Sequence, residues 1–132
     1  MEAHCQCGFV RFTTPTPAPL AVYICHCLSC RAQSSSAFGT SAIFPHFTLP
    51  TTDPPLGTYT RSTDAGNVLE CFFCPKCGSR LLHSAKGKDT VSVKGGCIQN
   101  LSWQAAKHIW CKRAVVPIPD GVERWDEEPR AG

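Results

Sequence analysis

Ten cysteines among 132 residues constrain this chain more than any other feature. Seven of them fall in three short motifs: a C-x-C pair at Cys5 and Cys7, a C-x-C-x-x-C triplet at Cys25, Cys27 and Cys30, and a C-P-x-C-G knuckle at Cys74 and Cys77. Such close spacing is typical of thiols that share one metal ion, rather than of thiols that form separate disulfide bridges. The cysteines therefore predict bound zinc.

A secreted scaffold held by disulfides is the competing interpretation of a short, cysteine-rich chain. Export requires an N-terminal signal with an apolar run, but the chain opens with Met1-Glu2-Ala3-His4. No apolar stretch has the length needed to span a membrane. We therefore expect metal-bound thiols in a reducing compartment, a cytoplasmic location and no membrane partner.

The pair and the knuckle together supply four thiolates, which is a complete structural zinc site. In the knuckle, backbone N–H groups can donate hydrogen bonds to the thiolate sulfurs, and Gly78 permits the tight turn. Cys5 and Cys7 are the natural partners of Cys74 and Cys77. An alternative pairs the knuckle with two cysteines of the triplet, which would leave the first pair without a metal.

The triplet Cys25, Cys27 and Cys30 can hold a zinc ion through three thiolates and leave its fourth position open. An open position distinguishes a catalytic zinc from a structural one. The competing interpretation is a second structural zinc, whose fourth ligand would be a histidine or one of the cysteines outside the motifs. Those cysteines stand in apolar surroundings and are interpreted as small buried residues; they are Cys71, Cys97 and Cys111.

The length predicts one domain, residues 1–132, with mainly β structure. Short runs of alternating or β-branched residues predict about seven strands, separated by proline-rich or glycine-containing turns. The predicted strands are 7–13, 20–24, 37–44, 56–60, 68–73, 80–84 and 90–94. Asp64–Asn67 is predicted to be a turn, and residues 101–109 are the one segment with a helical pattern.

Charge is distributed unevenly between the body of the chain and its end. Residues 1–119 hold 11 Lys/Arg and 5 Asp/Glu, whereas the acidic tail 120–132 holds 2 Lys/Arg and 5 Asp/Glu. A basic body suits an anionic small molecule or a nucleic acid. The bases are scattered and do not alternate with aromatic residues, so a nucleic-acid partner is not expected.

An open zinc site held by thiolates suits a thiol substrate. Zinc lowers the pKa of a bound thiol and keeps it as a thiolate, which is both a strong nucleophile and a good leaving group. The natural reaction class is therefore addition of a thiol to a carbonyl carbon, or its release. The basic body favours a thiol that carries carboxylates, and glutathione is the abundant intracellular example.

Several motifs in a fixed order run along nearly the whole chain. They include Cys5-x-Cys7-Gly8, Cys25-His26-Cys27-x-x-Cys30-Arg31, Gln33-Ser34, Ser36-Ala37-Phe38-Gly39, Cys74-Pro75-x-Cys77-Gly78 and His108-Ile109-Trp110. With these motifs the chain resembles the glutathione-dependent formaldehyde-activating (GFA) enzymes, also called the centromere-protein-V/GFA domain, of the Mss4-like superfamily.

The resemblance implies an Mss4-like, or β-tent, fold of small antiparallel sheets held by a structural zinc on Cys5, Cys7, Cys74 and Cys77. It also implies a catalytic zinc on Cys25, Cys27 and Cys30. The activity that it implies is a carbon–sulfur lyase reaction, the condensation of formaldehyde with glutathione to S-(hydroxymethyl)glutathione. The residues that would line the substrate pocket are Gln33, Ser34, Ser36, Phe38, His108 and Trp110.

The chain departs from the family pattern at a few positions. Ser35 stands where the family often has glycine, and Cys97 follows Gly95-Gly96 where a polar residue is expected. These departures leave the metal motifs intact, so the wider expectation is zinc-dependent chemistry on a glutathione adduct with a small electrophile. Homo-oligomerisation is left open. The alternative function is a non-catalytic zinc module that binds a protein or nucleic acid.

Overall fold

The computed structural model describes residues 1–63 and 66–129. The predicted turn Asp64–Asn67 and the acidic tail 120–132 therefore lie partly outside the described residues. The described elements are nine strands and one α-helix, with two short 3₁₀ turns at Gly95–Cys97 and Cys111–Arg113. The strands are β1 Glu2–His4, β2 Arg11–Thr13, β3 Ala21–Cys25, β4 Gly39–Pro45, β5 Gly57–Ser62, β6 Val68–Phe73, β7 Arg80–Ala85, β8 Thr90–Val93 and β9 Lys107–Ile109, and the helix is α1 Leu28–Ser34.

The strands form a two-stranded sheet, β1-β2, and a seven-stranded sheet in the order β5-β6-β7-β8-β4-β3-β9. Neighbouring strands pair antiparallel except for β3 and β9, which run parallel. The mainly β class and the small-sheet, Mss4-like architecture predicted from the sequence are confirmed.

The larger sheet has one apolar face and one polar face, because successive side chains of a strand point to opposite sides. The apolar face packs on the small sheet, and its buried residues include Ala42, Phe44, Leu82, Val91 and Val93. Cys5 and Cys74 belong to the same core and are completely buried. The four-cysteine cluster therefore lies at the edge of the hydrophobic core, with Cys5 and Cys74 inside the core and Cys7 exposed.

The other face carries the residues that concern function. Strand register aligns Tyr59, Cys71, His83 and Ser92 across β5, β6, β7 and β8. From Ser92 the row continues to Ile43 on β4, on the face that also carries Cys25. The end of β3 is thereby placed at the margin of a largely polar sheet surface.

Two local predictions are wrong. Residues 101–109 are not helical, because Lys107–Ile109 pairs with β3 and His108 exchanges backbone hydrogen bonds with Glu123 and Trp125 of the C-terminal segment. Tertiary pairing overrides weak helical propensity here. The strand predicted over 7–13 is limited to Arg11–Thr13, because the chain first turns so that Val10 can donate its N–H to the Cys5 sulfur.

The stretch around Gln33 is polar and consists of small residues. In the structure it is the last turn of α1, which begins three residues after β3 ends. Among the described residues, no helix is both long enough and apolar enough to cross a membrane.

Candidate metal centres and the adjoining cleft

The first metal centre joins the start of the chain to the β6–β7 turn. The Sγ atoms of Cys5, Cys7, Cys74 and Cys77 all lie within 4.8 Å of one another. Cys7 Sγ is 3.7 Å from Cys5 Sγ and 3.8 Å from Cys74 Sγ. The pair and the knuckle therefore come together, and the alternative pairing of the knuckle with the triplet does not occur.

Backbone N–H groups surround these sulfurs. Cys74 Sγ accepts from the N–H groups of Lys76 and Cys77, each at 3.4 Å. Contact with the Ser79 hydroxyl lowers the pKa of Cys77 to about 5. Gly78 closes the turn at φ +79°, a conformation that side chains disfavour. Thiolates held by N–H donors are the state in which cysteine binds zinc, so this cluster suits a closed structural site.

The second centre lies where β3 passes into α1. Cys25 is the last residue of β3, and Cys27 caps the helix, since the Cys27 sulfur accepts a hydrogen bond from the Cys30 N–H at 3.3 Å. The Sγ atoms of the three cysteines lie within 4.8 Å of one another. Among the described residues, no histidine, carboxylate or further cysteine completes this cluster as a fourth ligand. Cys71, Cys97 and Cys111 belong to neither cluster.

The three thiols interact strongly. Contact with the Cys27 thiol raises the pKa of Cys25 well above its ordinary value, and contact with the Cys25 thiol lowers the pKa of Cys27 to about 2. Three thiolates this close repel one another unless a cation lies between them. The donor set and its spacing therefore fit a zinc ion held by three thiolates.

A cavity of about 410 Å³ opens beside the triplet on the polar face of the large sheet. We call it the cysteine cleft; its lining includes Cys25, Cys27, Cys30, Ser41, Arg61, His83, Ser92, Lys94 and Glu128. A cavity of about 270 Å³ shares Arg61 and His83 with it, and a third of about 510 Å³ shares Lys94. The three cavities therefore adjoin one another at shared side chains.

Four of the six predicted substrate-binding residues lie at the third cavity, which is lined by Gln33, Ser34, Ser36 and Phe38. Gln33 also lines the second cavity. The two serine hydroxyls donate to main-chain carbonyls: Ser34 Oγ to Cys30 at 2.7 Å, and Ser36 Oγ to Phe38 at 2.8 Å. These local bonds fix the end of α1 and the turn that leads into β4.

The other two predicted residues lie elsewhere. His108 is buried, and its Nδ1 is 2.9 Å from Nε2 of His26. Both rings line a separate, largely apolar cavity of about 350 Å³, which Phe38 also borders. Trp110 donates its indole N–H to Glu128 Oε1 at 2.8 Å, so it supports a residue that lines the cysteine cleft.

Sequence reasoning did not single out the basic residues of the cleft, Arg61 and Lys94, or Arg80 of the adjoining cavities, or the nearby His83 ring. Burial, followed by the charges of these three cations, lowers the pKa of His83 to about 2. Lys94 is almost completely buried, and burial lowers its pKa, while the charges of Cys30 and Cys25 oppose that shift. Residue alternation in β5 could have shown that Arg61 and Tyr59 share one face of that strand. It could not have shown that the triplet lies on the same face of the sheet.

Comparison with known proteins gives a fold likeness and a family. One solved structure, a crystal structure of a Rhodobacter sphaeroides protein from a structural-genomics programme, matches with a TM-score of 0.55 and 19% identity, over 77% of this chain and 91% of that chain. No curated protein matches the chain. Residues 1–113 match the family described as glutathione-dependent formaldehyde-activating enzyme, so the chain belongs to the GFA family.

Proposed function

We propose that this chain is a zinc-dependent enzyme of the carbon–sulfur lyase type that acts on glutathione or a glutathione adduct. The reaction would form or break the bond between the glutathione sulfur and a carbon of a small electrophile, as in S-(hydroxymethyl)glutathione. The observation that carries this proposal is the three-cysteine cluster without a fourth described ligand, placed at the wall of a cavity of about 410 Å³.

Cys25, Cys27 and Cys30 would hold the catalytic zinc, and the four-cysteine cluster would hold the structural one. A bound zinc supplies Lewis acidity that favours the thiolate form of a thiol substrate. In the addition direction, the sulfur bonds to the carbonyl carbon and the thiol proton ends on the carbonyl oxygen. The reverse direction returns the thiol and the aldehyde, so atoms and charge balance.

The chain's own contribution begins with Lys94. Its ammonium group lies in the field of Cys30 and Cys25, and the residue lines the cysteine cleft. A buried positive charge there would stabilise the thiolate and the negative charge that develops on a carbonyl oxygen during addition. His83 does not serve as the base, because its Nε2 faces Arg80 Nη1 at 3.2 Å and its pKa is far below neutrality.

Substrate contacts are part of the same proposal. Gln33, Ser34, Ser36 and Phe38 would contact the peptide portion of the substrate, since they line the cavity that shares Lys94 with the cysteine cleft. Trp110 would act through Glu128, which its indole orients. A contact from His108 would require a ligand in the separate cavity beside His26.

The test is the formation of S-(hydroxymethyl)glutathione from glutathione and formaldehyde, followed by NMR exchange spectroscopy, with zinc content measured on the same sample. We expect two zinc ions per chain, from the two clusters, and exchange faster than the uncatalysed reaction. Cys27→Ser should remove the acceleration while the other zinc is retained. A fully zinc-loaded protein that neither binds glutathione nor accelerates exchange would favour the non-catalytic binding module.

A further inference from the structure

Three basic side chains lie around the cysteine cleft without a carboxylate partner. Arg61 and Lys94 line the cleft itself, and Arg80 lines both adjoining cavities. Among the described residues, the ion pairs involve Lys107 and Lys112 only, both on the far side of β3. Glu128 does line the cleft, but its Oε1 is engaged by the Trp110 indole.

The cations line adjoining cavities, and neighbouring side chains hold Arg80 in place. All three lower the pKa of His83, and the charge of Arg80 lowers that of Lys94, so they share one region of the sheet. Arg80 is oriented from two sides: Nη1 is 3.2 Å from His83 Nε2, and its guanidinium lies 5.7 Å from the centre of the Tyr59 ring. Like charges in one region repel one another, and an anion between them would relieve the repulsion.

Two further polar atoms in the same region have no partner. The amide Nε2 of Gln33 is buried and unbonded, and Gln33 lines the cavity that holds Arg61 and Arg80. The hydroxyl of Ser92 is likewise buried and unbonded, and it lines the cleft beside Lys94. Buried polar groups normally have partners, so unpaired donors in two adjoining cavities indicate a ligand rich in acceptor atoms.

We infer that Arg61 and Arg80, with the Gln33 amide, form a binding site for a carboxylate of the substrate, one cavity away from the thiol position at the triplet. This inference rests on the proposed function, since it names the part of a thiol substrate that this chain selects. The guanidinium groups suit a carboxylate because each can donate two parallel hydrogen bonds to it. Arg61 and Arg80 would therefore select a substrate whose carboxylate and sulfur are held at separate points.

The test uses the zinc-loaded protein and calorimetric binding of S-methylglutathione, in which the sulfur is blocked and both carboxylates remain. Arg61 is half-buried on the edge strand β5, so Arg61→Gln should fold normally. We expect it, and Arg80→Gln, to weaken binding by about tenfold, the loss expected for a charge-assisted hydrogen bond. Lys86→Gln, in the exposed β7–β8 turn, makes the same change of charge and should leave binding unchanged.

A second probe separates the carboxylate from the rest of the ligand. The dimethyl ester of S-methylglutathione should bind about tenfold or more weakly than the free acid. Equal binding of acid and ester, no binding of the acid, or equal affinity of the wild type and Arg61→Gln would overturn the inference. Binding that follows the expected pattern in a protein without formaldehyde exchange would leave the carboxylate site standing and refute only the proposed reaction.

Discussion

Gly39 lies against Cys30 at the point where β4 passes beneath α1. A β-carbon on Gly39 would lie 2.9 Å from the Cβ of Cys30 and 3.3 Å from its Sγ. No real side chain tolerates the shorter of these distances, so helix and strand can approach this closely only because residue 39 is glycine. The position of the third cysteine is therefore set by β4 as well as by the sequence of the triplet.

Gly39→Ala is expected to push Cys30 away from Cys25 and Cys27. The second zinc should then be bound more weakly, and unfolding should cost about 1–3 kcal/mol less, as for other overpacked sites. Zinc content and urea unfolding measure the two effects. Gly96→Ala is the matched control, because a β-carbon there meets nothing within 4 Å. An alanine at 39 that retains both zinc ions and full stability would show that α1 moves freely on the sheet.

The two cysteine clusters should respond differently to mutation. Cys74 is completely buried in the core and accepts two backbone hydrogen bonds, whereas Cys27 is half-buried at the start of a seven-residue helix. Cys74→Ala should therefore prevent folding, because binding of a structural zinc is coupled to folding. Cys27→Ala should remain folded with one zinc and lose activity.

Near-ultraviolet circular dichroism measures the tertiary packing of the two alanine variants, and metal analysis measures their zinc content. The Cys27 variant should keep the wild-type spectrum and half of the zinc, while the Cys74 variant should lose the spectrum altogether. If both variants were unfolded and free of metal, the division into a structural and a catalytic site would be wrong.

The C-terminal segment is expected to contribute to stability. Its backbone pairs with β9 and the following turn: Glu123 and Trp125 bond His108, and Glu127 bonds the Trp110 N–H at 3.1 Å. Removal of residues 123–132 would expose these groups and the edge of β9. We expect a loss of about 2–4 kcal/mol in the free energy of unfolding, from several net hydrogen bonds of about 1 kcal/mol each. An unchanged urea midpoint would contradict this.

The cysteine motifs could be predicted from sequence because the geometry within each motif is local, whereas the meeting of the first pair with the knuckle depends on the fold. Cys25, Cys27 and Cys30 are so close along the chain that one bend brings their sulfurs together, and the knuckle is similarly compact. The fold class followed from short strands with frequent turns. The individual motifs and the fold class depend on few long-range pairings.

The basic side of the cleft could not be predicted in the same way. Arg61, Arg80 and Lys94 come from different strands or their ends, and they meet only because β5, β6, β7 and β8 pair in one register. Alternation shows which residues of a strand share a face, but not which strands are neighbours. For the same reason β9 was missed, since its partner β3 lies some eighty residues earlier in the chain.

The buried His83 ring should make the stability of the protein depend on pH. Its pKa is lowered from 6.5 to about 2 by burial and by the neighbouring charges of Lys94, Arg80 and Arg61, so the folded protein keeps it neutral. Below about pH 6.5 the unfolded chain takes up a proton at this residue and the folded chain does not, so stability is present above that pH and falls as the pH decreases.

We expect wild-type protein to lose up to about 1.4 kcal/mol more stability per pH unit than His83→Gln as the pH falls below about 6. Glutamine can still accept a hydrogen bond from Arg80, so this substitution removes the titrating ring and keeps the contact. Urea unfolding between about pH 5 and pH 7 measures the difference, and zinc release, common to both proteins, cancels in the comparison. Parallel pH profiles for the two proteins would mean that His83 takes up its proton in the folded state and that the three cations are farther from it than the structure places them.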